Sequence, residues 1–87
     1  MLFLIASSPE TKEFKTAYRT AKEMNGKICF LQNAVYAARN GNNNNSYVLI
    51  DDMRLRGLSD NEISAQKIDY SQLVDLMTDS DKVVGLF

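Results

Sequence analysis

Four short apolar runs, spaced along the chain by segments of helical periodicity, constrain the fold more than any other feature of this sequence: Leu2–Ala6, Ile28–Leu31, Tyr47–Ile50 and Val83–Phe87. A run that is apolar at successive positions offers water neither side of a strand, so the first two read as strands buried on both faces, and the other two as a third strand and a last one. Such strands sit in parallel sheets covered by helices. The segments between them supply those helices.

Ser8 is a helix cap with Pro9 at the first helical position. Phe14, Ala17, Tyr18, Ala21 and Met24 then recur at a helical period and form one apolar stripe. Asn25 and Gly26 end that helix. After the second run, Asn33 caps a short helix through Val35, Tyr36, Ala37 and Ala38. The stretch Asn40–Ser46 has no apolar period and reads as a mobile surface loop, not a ligand site. Asp51 and Asp52 open a short helix that carries Met53 and Leu55 and closes at Gly57. Ser59 and Glu62 have capping-box spacing. Lys67 and Ile68 belong to a brief fourth strand, and a helix beginning near Tyr70 turns Leu73, Val74, Leu76 and Met77 inward. The expectation is an α/β fold in three layers: a mostly parallel sheet of four to five strands with helices on both faces, in one domain over 1–87.

The sequence has 87 residues, enough for one domain with a thin stability margin, which oligomerisation would relieve. Ten basic and 11 acidic residues give a formal net charge of −1, so no overall field draws the chain to nucleic acid or to an anionic membrane. There is no histidine and a single cysteine, which argues against a zinc site and removes the commonest general base. No cofactor or metal is expected. A lone cysteine fits a reducing compartment, the cytoplasm. The opening apolar run is too short for a signal peptide or a membrane span.

Few residues could carry chemistry. Cys29 is the one strong nucleophile. In mid-strand between Ile28 and Phe30 it reads first as a core thiol acting as a small hydrophobe, and second as a sulfur carrier, which would need a lowered pKa and access to solvent. Asp51 and Asp52 stand at the C-terminal end of the third strand, the edge where open parallel sheets bind ligands. They could hold a magnesium ion, or one of them could cap the following helix. Lys12, Lys15, Arg19 and Lys22 form a basic stripe on the first helix. It reads as a solvated face diluted by Glu13 and Glu23, or as a contact to RNA phosphates. Tyr36 at an element edge suits an interface as well as a core margin.

Taken together, Ser8-Pro9, the stretch Leu31–Ala38, the stretch Tyr47–Leu58, Ile68-Asp69-Tyr70 and Val74-Asp75-Leu76 resemble the DsrH/TusB family of sulfur-relay proteins in order and spacing. The resemblance implies a flavodoxin-like or Rossmann-like domain. It also implies assembly with DsrE/TusD-like and DsrF/TusC-like subunits, in a complex that passes persulfide sulfur toward tRNA wobble-uridine 2-thiolation or sulfur oxidation. The principal sulfur-carrying cysteine of such complexes lies in the DsrE/TusD subunit. Some relatives carry a cysteine on the first helix, where this chain has Tyr18. Others have Asp-Gly after the second strand, where this chain has Asn33-Ala34. An accessory subunit without independent catalysis is therefore expected, with Asn33, Tyr36, Asp51 and Asp52 as an interface or strand-end site. The alternatives are a stand-alone homo-oligomer and a direct sulfur carrier through Cys29. Direct tRNA contact and membrane association are not expected.

Overall fold

β1 (Leu2–Ile5), α1 (Lys12–Glu23), β2 (Lys27–Phe30), a 3-10 helix (Gln32–Arg39), β3 (Ser46–Leu49) and α2 (Ile50–Leu55) follow one another along the chain. A single 3-10 turn (Asp60–Glu62), β4 (Gln66–Ile68), α3 (Tyr70–Asp79) and β5 (Val83–Leu86) complete the order. The structure is a computed structural model that describes residues 1–39 and 45–86. The asparagine run at 40–44, expected as a loop, and Phe87, expected in the last strand, lie outside those residues.

The described strands make one sheet in the order β4-β3-β2-β1-β5, parallel at every pairing. The α/β layout is thus the expected one, with five strands. Period-two alternation divides each strand between two cores. Phe3, Ile5, Ile28, Phe30 and Val48 face the layer formed by α1, the 3-10 helix and α2. Leu2, Leu4, Cys29, Leu49 and Ile68 face α3, which adds Leu73. Register keeps the sets apart: Phe3 stands beside Ile28, and Leu4 beside Cys29. On the first face Phe14 and Tyr18 of α1 stack on each other at a centroid distance of 5.6 Å and on Phe30 at 6.2 and 6.3 Å, within the favourable range for aromatic pairs.

Several boundaries differ from the sequence reading, each for a physical reason. α1 starts later than Ser8-Pro9. The Ser8 carbonyl accepts from the Thr11 backbone N–H at 3.0 Å, closing a turn around Pro9. Thr11 is the cap, and its hydroxyl accepts from the Phe14 N–H at 3.1 Å. At the far end Met24 is half-exposed and caps the helix instead of extending its apolar stripe. Asn25 takes φ 57°, and the Gly26 N–H donates to the Ala21 carbonyl at 3.0 Å. That is a Schellman closure with asparagine in the left-handed position. Gly26 is required for space: a Cβ there would stand 2.6 Å from the Phe3 ring.

Ser46, expected in the loop, begins β3 and is buried. Ile50, expected in the third strand, opens α2. Neither Asp51 nor Asp52 caps that helix: Leu49 occupies the cap and no side chain bonds there. The Ser59–Glu62 capping box forms as expected, and hydrogen bonds from Ser59 hold the Glu62 carboxyl below its ordinary pKa. In α3, Leu73 is buried and Leu76 half-buried as expected, but Val74 and Met77 are exposed.

Candidate functional site

The residues expected at the strand ends meet where β2 and β3 terminate. β2 runs out at Phe30, and Gln32 then takes φ 47°, a left-handed conformation that costs a non-glycine residue roughly 1–2 kcal/mol. The chain turns there because the 3-10 helix must fold back over the sheet with Ala34, Val35 and Ala38 in the core. Asp52, in the first turn of α2, holds the bend: its Oδ2 accepts from the Gln32 N–H at 2.7 Å. The short, charge-assisted bond offsets part of the backbone strain.

Arg56, at the C-terminal cap of α2, ties the same corner from the other side. Its Nε donates to Asn33 Oδ1 at 3.0 Å, and its Nη1 donates to the Asp52 backbone carbonyl at 3.1 Å. Asn33 therefore lies inside the 3-10 helix as a side-chain acceptor, not at its cap. Asp51 points away from this cluster; it is exposed beside Arg54 and Leu55. Tyr36 is half-buried against the larger core, with the Arg39 guanidinium 5.6 Å over its ring. The structure thus joins Asn33 to Asp52 through Arg56 and leaves Asp51 and Tyr36 apart from them.

Gln32 and Arg56 are the members that sequence reasoning missed. Arg56 had a weak signal, a cation in the closing turn of a helix just before a glycine. Gln32 had none, because left-handed backbone at a glutamine leaves no trace in composition.

Cys29 lies beneath this corner on the α3 side of β2, fully buried among Leu2, Leu4, Leu49 and Ile68. Burial, and secondarily the negative charge of Asp52, push its thiol up to about 12. Such a group is protonated at neutral pH and shielded from attack. The stripe of Lys12, Lys15, Arg19 and Lys22 is exposed along α1, with the Lys22 ammonium 5.3 Å over the Tyr18 ring. Among the described residues, no group of three or more potential metal-ligating side chains converges. No helix among them is long and apolar enough to cross a membrane.

Five parallel strands, a helix-bearing layer on each face and a polar clamp at the strand ends define a small Rossmann-like domain. The family model described as DsrH like protein matches residues 6–83, and the chain belongs to the DsrH-like family. Membership gives it a sulfur-relay-related role in general, in a family whose members work in complexes with DsrE-like and DsrF-like proteins. Among solved structures, the chain is similar to protein Tm0979 from Thermotoga maritima, determined by solution NMR. The TM-score is 0.72 at 28% identity, covering 94% of this chain and 97% of that one. No curated protein matches the chain significantly.

Proposed function

We infer that this chain is the supporting subunit of a persulfide-relay complex, a single domain over 1–87 working in the cytoplasm, and not a carrier of sulfur itself. The observation behind this reading is the state of Cys29, the one cysteine in the sequence. In persulfide transfer an accepting thiolate attacks the outer sulfur of a donor persulfide, the sulfur–sulfur bond breaks, and the donor leaves as a thiolate. An acceptor needs thiolate character and access. A fully buried thiol pushed up to about 12 has neither.

The partners in this reading are DsrE/TusD-like and DsrF/TusC-like subunits, which bring the reactive cysteine. The pathway served is 2-thiolation of the tRNA wobble uridine or oxidation of sulfur. Asn33, Asp52 and Arg56 act as the rigid corner at the strand ends that a partner subunit packs against, with Tyr36 at its margin.

The test is a Cys29→Ala variant in a strain whose tRNA thiolation or sulfur oxidation depends on this protein, with co-purification of the partner subunits measured in parallel. Full activity with partners retained is the expected result. Loss of activity in a folded variant that still binds its partners would overturn the supporting-subunit reading and make Cys29 a carrier.

A further inference from the structure

Asn25 and Gly26 close α1, and an asparagine followed by glycine is also the pair in which spontaneous deamidation runs fastest. In that reaction the backbone nitrogen of the glycine attacks the asparagine side-chain carbon Cγ. The new N–Cγ bond closes a succinimide ring, the Cγ–Nδ2 bond breaks, and ammonia leaves. Water then opens the ring. Opening at Cγ gives aspartate, and opening at the backbone carbonyl gives isoaspartate, whose chain runs through the former side chain. Glycine speeds the attack because it has no side chain in the way and turns freely. Asn25 is exposed, so water reaches it.

The fold withholds the reacting nitrogen. The Gly26 N–H, which must lose its proton for its nitrogen to bond Cγ, donates instead to the Ala21 carbonyl at 3.0 Å. The Asn25 N–H donates to the Lys22 carbonyl at 3.1 Å, and Asn25 is held at φ 57° in the left-handed turn. Gly26 is pinned from its other sides as well. The Phe3 ring lies 2.6 Å from where a Cβ would stand, and the next residue, Lys27, donates its N–H to the Met1 carbonyl at 3.0 Å. Ring closure therefore requires the end of α1 to open first. Helix ends open at a much smaller free-energy cost than the whole fold.

We propose that Asn25 is a deamidation site gated by the closing turn of α1, sealed while the turn is intact and modified when it opens. The change runs one way. Isoaspartate adds a backbone atom next to Gly26, where the Phe3 ring leaves no slack. Either product also puts a negative charge at the C-terminal end of a helix, where the helix dipole disfavours it. A modified copy thus closes its turn less well than before. The defect lies beside Lys27, the first residue of β2, which sits inside the sheet between β1 and β3. The inference goes beyond the proposed function and requires no relay partner.

The test ages the protein at neutral pH, folded and in urea, and follows the amide-to-acid mass gain in the tryptic peptide 23–27, whose one asparagine is Asn25. The folded protein is expected to react at least about tenfold more slowly than the unfolded chain. Lys22→Gly, an exposed change that loosens the last turn, should speed the folded reaction about threefold or more. Leu73→Ala weakens the fold on the other face of the sheet and should leave the folded rate unchanged. Leu76→Ala replaces it if circular dichroism shows it unfolded. Asn25→Gly keeps a residue suited to the left-handed turn and should abolish the mass gain. Equal rates folded and in urea, no acceleration by Lys22→Gly, or an acceleration by Leu73→Ala as large as that by Lys22→Gly would each overturn the proposal.

Discussion

The two faces of the sheet are built to different standards. The α1 face holds the larger core, closed by two α-helices and a 3-10 helix and centred on Phe3, Phe30 and the ring stack of Phe14 and Tyr18. The α3 face has one helix among the described residues and a small cluster around Leu2, Leu4 and Cys29. Stability in a domain this size follows buried apolar area, so the α1 face carries most of it. The α3 face fulfils the minimum needed to keep the strands dry.

The comparison can be broken most directly by truncating one side chain on each face. Phe30→Ala should cost about 3–5 kcal/mol, because it opens a cavity under the ring stack. Leu73→Ala should fall near 2 kcal/mol, the low end for such a change, since α3 can settle onto a thin layer. Urea unfolding of both variants measures this, and equal losses would show that the two faces share the load.

A second effect sharpens the picture of the α3 face. The Cys29 pKa is raised in the fold, so the folded state keeps a proton that the unfolded chain releases above pH 9. The stabilising contribution is therefore complete below pH 9 and is lost progressively as pH rises toward about 12. The difference in stability between wild type and Cys29→Ala should narrow over that window. A constant difference would mean that the thiol is not sealed from water.

The smallest expected effect concerns the corner at the strand ends. Asp52→Ala should cost about 1 kcal/mol, because the Gln32 N–H can turn to water when its partner is removed. Hydrogen exchange at the Gln32 amide should accelerate while Phe30 stays protected. Exchange spreading through β2 would show that the clamp supports the sheet, and not only the bend.

The strands were legible because their apolar runs are dictated from both sides at once, as with Leu2 beside Phe3. The helix ends were legible where local chemistry decides them: the stop at Asn25 with Gly26, and the start in the Ser59–Glu62 box. The start of α1 was misplaced because Ser8 and Thr11 can both cap. Their contest is settled by where Phe14 must land to stack on Phe30, a tertiary fact. In α3 the apolar residues span a wide arc, and periodicity cannot say which part of it the sheet covers. Of the strand-end cluster, Asn33 and Asp52 were visible as types at plausible positions. What joins them was not, because the Gln32 and Arg56 bonds cross 20 and 23 residues of sequence.

The strand order carries a consequence for how the protein is made. β2, β3 and β4 extend the sheet outward from β1 in the order of synthesis, but β5 docks on the opposite side of β1, with Leu2 beside Val83. β1 therefore keeps one edge unpaired until β5 has emerged. That edge is Leu2–Ile5, wholly apolar and free to pair with a neighbouring nascent chain. The yield of native protein in the cell then depends on how quickly β5 follows and on whether a chaperone shields β1 in the interval.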